Sequence, residues 1–261
     1  MLKITATNLY GKSMQVTQNS LFRATVAGLN PPPGAIFTAD LATKDGSLYN
    51  ASKVNNRNII ITIYPAGPNV EAARLQLYDV FKVSKYIRLQ IETGTRKCIA
   101  EGYIEDMPGD LWENPQSLQI SIICPDPFLE AVTETTAAAT TAGTAVTVAN
   151  GGDYETGATF AITATGACSG IRIGNNTTGQ EFVANVDLVA GDVLTLETKE
   201  GSKALLLKHT GQDPEDVINL MDVNSEWPEL WPGNNAVYFN ASAGGANATM
   251  AVAFHALYGG I

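Results

Sequence analysis

Histidine is nearly missing from this chain. Only His209 and His255 occur in 261 residues, and neither stands at the spacing of a zinc site. A histidine-built metal or acid–base centre is therefore not expected, and His209, in a turn-rich segment, reads as solvated. Cysteine is almost as scarce. Cys98, Cys124 and Cys168 are odd in number and form no C-x-x-C pair, which argues against a disulfide scaffold or zinc knuckle and leaves buried thiols in a reducing compartment. Charged residues make up 16% of the chain, and Lys plus Arg number 16 against 26 Asp plus Glu, for a formal net charge of −10. A surface that grips nucleic acid needs clustered Lys and Arg, so the balance argues against that function. Apolar runs such as Ile59-Ile-Ile-Thr-Ile63 are too short to span a bilayer, and no membrane insertion is expected. Met1-Leu-Lys-Ile-Thr-Ala-Thr carries one charge and no apolar stretch, so no signal peptide is expected.

What is present points to β-structure in two parts. Leu118, Ile120 and Ile122 alternate with Gln119 and Ser121, the period of a half-buried strand. Pro125 and Pro127 then remove two backbone donors within three residues, and a Thr-, Ala- and Gly-rich tract follows. One unit is expected over 1–130 and a second over 131–261, each long enough to bury a core. In the first, Tyr86–Glu92 alternates cleanly, and Asn58–Tyr64 has apolar residues on both faces, which suggests two-sided burial. Lys97–Ile104 and Ser117–Ile123 read as the arms of a hairpin. Asn69 precedes a helix expected over 70–82, with Val70, Ala73, Leu77 and Val80 or Phe81 as its buried stripe. In the second, strands are expected at Ala145–Ala149, Thr159–Ala164, Ser169–Ile173, Glu181–Val183, Val193–Glu197, Ala204–Lys208, Asn235–Ala241 and Thr249–Tyr258. Turn signals separate them, the pattern of a sandwich or barrel.

Candidate chemistry is thin. Gly166-Ala-Cys-Ser-Gly170 has the outline of a nucleophile elbow, but Ile171-Arg-Ile-Gly reads as strand where the elbow needs a helix. Asp213, Glu215 and Asp216 lack calcium-loop spacing and read as a solvated turn. Trp227-Pro-Glu-Leu-Trp231-Pro232-Gly233-Asn234 is the most unusual segment. Its two indoles either plug the end of a sandwich, the favoured reading, or form a sugar-stacking platform. The loop between the hairpin arms carries Glu105, Asp106, Asp110 and Glu113 with no Lys or Arg. No enzyme activity and no cofactor is expected.

In order along the chain, several segments resemble the distal tail proteins of long-tailed bacteriophages, the siphophage tail family. In the first half these are Asn56-Arg57 before the Ile-rich strand, Leu77-Tyr-Asp-Val-Phe81, Gly102-Tyr-Ile104 and Ile120–Phe128. In the second they are the Asn150-Gly-Gly-Asp and Gly174-Asn-Asn-Thr-Thr178 turns, Leu188-Val-Ala-Gly-Asp-Val-Leu194, Ser225–Asn234 and Tyr258-Gly-Gly-Ile261. The resemblance implies a mainly β chain: a tail-tube-like β-barrel with one flanking helix, then a galectin-like β-sandwich. It also implies a structural role at the virion tail tip, with synthesis in the bacterial host cytoplasm. Six copies would form a ring joining the tail tube protein to the tail-tip hub or fibre protein and to receptor-binding proteins, with DNA passing through unbound. Pro125 and Pro127 would then set the direction in which the chain leaves the ring. By its charge, the Glu105–Gln116 loop is the candidate for an acidic, lumen-facing element. The alternative is a carbohydrate-binding adhesin acting through Trp227 and Trp231.

Overall fold

The computed structural model describes residues 2–17, 19–43, 45–66, 69–112 and 116–261, with all their side chains but those of 138 and 139. Two compact units result. One comprises Met1–Val132 together with Tyr258–Ile261, the other Thr133–Leu257. The last four residues thus group with the first unit, although they follow the second in sequence.

The first unit is built on one sheet. Its strands are β1 (Lys3–Asn8), β2 (Ser13–Gln15), β3 (Phe22–Ala27), β6 (Arg57–Pro65), β7 (Tyr86–Glu92), β8 (Lys97–Asp106), β9 (Gly109–Asp110), β10 (Ser117–Cys124) and β11 (Leu129–Ala131). The final strand of the chain, β22 (Leu257–Tyr258), pairs with β11. The main path runs β2-β1-β7-β8-β10-β6-β3. Registers such as Ile4↔Ile91, Leu89↔Ala100 and Ile120↔Ile61 stack the alternating apolar positions on one face. That face is sealed by α1 (Val70–Val80), which buries Val70, Ala73, Leu77 and Val80. Asn69 caps the helix by accepting the Ala72 N–H at 3.0 Å. The helix stops earlier than the expected residue 82, because Phe81 turns to an extended backbone and buries its ring. Pro68 lies outside the described residues.

Two expectations change in detail. The sheet does not close into a barrel: among the described residues no ladder joins β2 to β3, and β2 is only three residues long. On β6, Ile59, Ile61 and Ile63 are buried but Ile60 is half-buried and Tyr64 exposed, so the strand is covered on one face. The remaining strands of this unit, β4 (Gly34–Asp40) and β5 (Ser47–Val54), form a separate two-stranded sheet of their own.

The second unit is a sandwich of two antiparallel sheets. Its strands are β12 (Thr135–Thr141), β13 (Val146–Asn150), β14 (Thr159–Ala164), β15 (Cys168–Asn175), β16 (Gln180–Leu188), β17 (Val193–Glu197), β18 (Ala204–Lys208), β19 (Glu215–Asp216), β20 (Gly233–Ala243) and β21 (Ala248–Phe254). The order is β12-β21-β14-β17-β18-β19 in one sheet and β13-β20-β15-β16 in the other. Phe160, Leu196, Leu205 and Met250 from the first sheet share a core with Ile173, Phe182, Val237 and Phe239 from the second. The Thr- and Ala-rich tract after the prolines therefore does not remain a linker; it supplies β12 and leads into β13. Pro125 and Pro127 stop β10 at Cys124 and lie in the corner leading to β11, which pairs back on β8.

Candidate functional site

In the second unit the Trp227–Asn235 segment is held by buried side chains. Four successive carbonyls each accept from a different one. Thr198 Oγ1 donates to Pro228 at 2.9 Å, Asn175 Nδ2 to Glu229 at 2.7 Å, Asn150 Nδ2 to Leu230 at 3.0 Å and Asn235 Nδ2 to Trp231 at 2.7 Å. These donors are 2% exposed or less and stand at the ends of β17, β15, β13 and β20. Buried amides are costly unless paired, so the match makes the segment a fixed lid over Leu230, itself fully buried. The same Asn-rich turns carried the family resemblance, and the contacts give them a physical purpose.

The two indoles separate. Trp227 is half-buried against Phe182, with ring centroids 4.9 Å apart, as the plug reading requires. Trp231 is 49% exposed, and its backbone N–H is tied to Asn235 Oδ1 at 3.0 Å. Pro232, Gly233 and Asn234 follow it on the exposed surface. A shallow groove of about 480 Å³ lies elsewhere on this unit, lined by Arg172, Glu181, Asp222 and Glu226 among others, with neither tryptophan in its wall.

In the first unit the comparable anchor is Arg57, 1% exposed at the start of β6. Its guanidinium donates to the carbonyls of Pro127 (2.8 Å), Gly28 (2.7 Å), Asn30 (2.9 Å) and Gly259 (2.6 Å). It thus ties the proline corner, the loop after β3 and the end of the chain to one point. Gly28 has φ +85°, and a Cβ there would meet Asn58 O at 2.0 Å, so only glycine lets that loop approach. Arg96 completes the hold: it donates to Gly260 O at 2.6 Å and stacks 4.2 Å over the Tyr258 ring. Sequence reasoning noted Asn56-Arg57 only as part of a resemblance; a buried Arg leaves no periodic signal.

Reactive chemistry is not assembled among the described residues, and no cluster of metal-ligating side chains occurs there. Cys168 opens a strand where a nucleophile elbow would need a turn into a helix. Burial pushes the Cys124 thiol up to about 11 and raises that of Cys168. His209 corrects the solvated reading. The β17–β18 register Val193↔Lys208 sets it opposite Asp192, and its Nδ1 lies 2.9 Å from the buried Asp192 Oδ1. Of the acidic loop, Glu105 accepts from Ser121 Oγ at 2.9 Å, while Asp106 and Asp110 accept the Met107 and Trp112 N–H groups. All three are exposed, and Glu113 lies outside the described residues.

Exposed apolar surface divides unevenly. Among the described large hydrophobic side chains left exposed, only Val189, Ile218, Val223 and Trp231 belong to the second unit. The first exposes Leu9, Tyr10, Ile36, Phe37, Leu48, Tyr49, Leu75, Tyr78 and Trp112, with others.

Residues 151–256 match the family described as siphovirus-type tail component, C-terminal domain. No curated protein matches the chain. Among solved structures the chain is similar to the Dit protein (gp 19.1) of phage SPP1, described as a paradigm of hub adsorption apparatus in Gram-positive infecting phages. The TM-score is 0.75 at 14% identity, over 97% of this chain and 98% of that one. It is also similar to a chain of the phage P2 baseplate in its activated conformation with Ca, at TM-score 0.50 and 12% identity over the same shares. The resemblance to siphophage distal tail proteins is thereby borne out, as is a mainly β fold with sandwich architecture.

Proposed function

We propose that this chain, whose residues 151–256 match a siphovirus-type tail component, is a structural distal tail protein. In this reading six copies form a ring through the first unit. The ring joins the tail tube to the tail-tip hub or fibre, and the sandwiches, galectin-like in the family, carry the link to receptor-binding proteins. The chain works without catalysis or cofactor. The observation that supports this reading is the uneven exposure of apolar side chains: a unit that leaves Ile36, Phe37, Tyr49 and Tyr78 in water is built to be covered by partners. DNA would pass an acidic wall to which the exposed Asp106 and Asp110 contribute, consistent with the net charge of −10.

Native mass measurement and negative-stain imaging of the purified chain test this. Rings of a defined copy number are expected, alone or with the tube or hub protein. A monomer at high concentration that forms no ring with either overturns the reading. The exposure of Trp231 favours one second reading, a glycan contact on the sandwich. Glycan binding that disappears in a folded Trp231→Ala variant would support it; a glycan array with no signal for the wild type would remove it.

A further inference from the structure

Strands β4 and β5 make an arm that the fold does not explain. Their ladder runs from Gly34↔Val54 to Asp40↔Ser47 and pairs with no other strand among the described residues. Both faces are wet: Ile36 is 71% exposed, Phe37 48%, Leu48 56% and Tyr49 60%. A lone two-stranded hairpin is marginal in water, and large apolar side chains on both of its faces add no stability there. Such an arm calls for a partner.

The same unit presents a second apolar surface, edged by lysines. Leu75 and Tyr78 stand one turn apart on the outer side of α1. The turn after β1, with exposed Leu9 and Tyr10, is fastened beside them: Asn8 Nδ2 donates to Val80 O at 3.2 Å, Lys12 pairs with Asp79, and Lys82 lies 5.2 Å over the Tyr10 ring. Lys82 and Lys85 form no ion pair among the described residues, and both are exposed. At the tip of the arm the exposed Asp40 and Asp45 are equally without an ion pair among the described residues.

We infer that the β4–β5 arm of one copy docks on the Leu75–Tyr78 face of the next copy, with Asp40 and Asp45 toward Lys82 and Lys85. Two different surfaces of one subunit that fit each other make a head-to-tail contact, and such contacts close into rings when the rotation allows. Matched unpaired charges on both surfaces favour a second copy as occupant over another tail protein. The inference rests on the ring reading and names its contact.

Cross-linking tests it, because the natural cysteines Cys98, Cys124 and Cys168 are buried and give little background. A Phe37→Cys, Tyr78→Cys double variant should oxidise into a ladder of covalent oligomers ending at the ring. A mixture of the two single variants should stop at covalent dimers, and either single variant alone should stay uncoupled. The Asp40→Lys, Asp45→Lys pair should weaken assembly by about tenfold or more, and adding Lys82→Glu, Lys85→Glu should restore it. Rings that form without a disulfide between the two introduced thiols overturn this contact and leave the ring reading standing. So do rings in which the Phe37→Cys variant couples to itself. A wild-type chain that never assembles overturns both.

Discussion

The two units have similar lengths and the same mainly β character, yet they treat their surfaces in opposite ways. The second faces two sheets toward each other, so each supplies the other's cover and little apolar surface is left. The first has one sheet covered by a helix, and its remaining strands project as an arm with exposed Ile36, Phe37, Leu48 and Tyr49. A sandwich completes its core within the chain. A single sheet with one helix leaves apolar surface for neighbours to complete. Both units close their open ends with buried polar clamps onto carbonyls, Arg57 in one and the Thr198–Asn175–Asn150–Asn235 set in the other.

Breaking the clamps separates the units most clearly. Arg57→Met should destabilise the first unit by about 3–5 kcal/mol, since four backbone carbonyls lose the donor of one buried side chain, while hydrogen exchange in the sandwich core stays unchanged. Arg57→Lys should not rescue it, because an ammonium cannot reproduce the planar fork. Equal loss of protection in both units would show that they do not unfold separately. Asn235→Ala should act on the other side only, by about 2–3 kcal/mol, read as a lower urea midpoint for the second unit.

The tryptophans sharpen the contrast within the sandwich. Trp227→Ala should cost about 2–3 kcal/mol because it removes the ring packed on Phe182. Trp231→Ala should stay within about 1 kcal/mol, as its indole is half in water. Similar losses at the two positions would show that Trp231 packs as Trp227 does. The smallest effect concerns acid. Burial pushes the Asp192 carboxyl up, but the Val189 N–H and His209 outweigh it and hold the group below its ordinary value. A depressed carboxyl stabilises the fold above about pH 4 and loses that contribution as pH falls through the lower folded value. Asp192→Asn should therefore flatten the acid limb of the second unit's stability curve and leave the first unit's limb unchanged.

Strand identity was legible where burial alternates strictly. Tyr86–Glu92, Thr159–Ala164, Val193–Glu197 and Ala204–Lys208 stand as the periodicity predicts, and so does the buried stripe of α1. The arm was not legible, because strands exposed on both faces carry no alternation. Neither was β12, whose Thr and Ala side chains suit a linker as well as a strand. Trp227 and Trp231 look alike as letters, and only their neighbours in space distinguish them.

By itself, then, the sequence determined a mainly β chain, broken near Cys124-Pro-Asp-Pro-Phe128. Those properties follow from local periodicity, turn residues and composition, which act over a few residues at a time. Only the tertiary structure decided that Pro127 and Gly259 meet at Arg57, that His209 faces Asp192, and that the last four residues return to the first unit. Each of these closes a loop of tens to hundreds of residues around a buried polar group. The local sequence cannot announce such partners, because they become neighbours only when the sheets form.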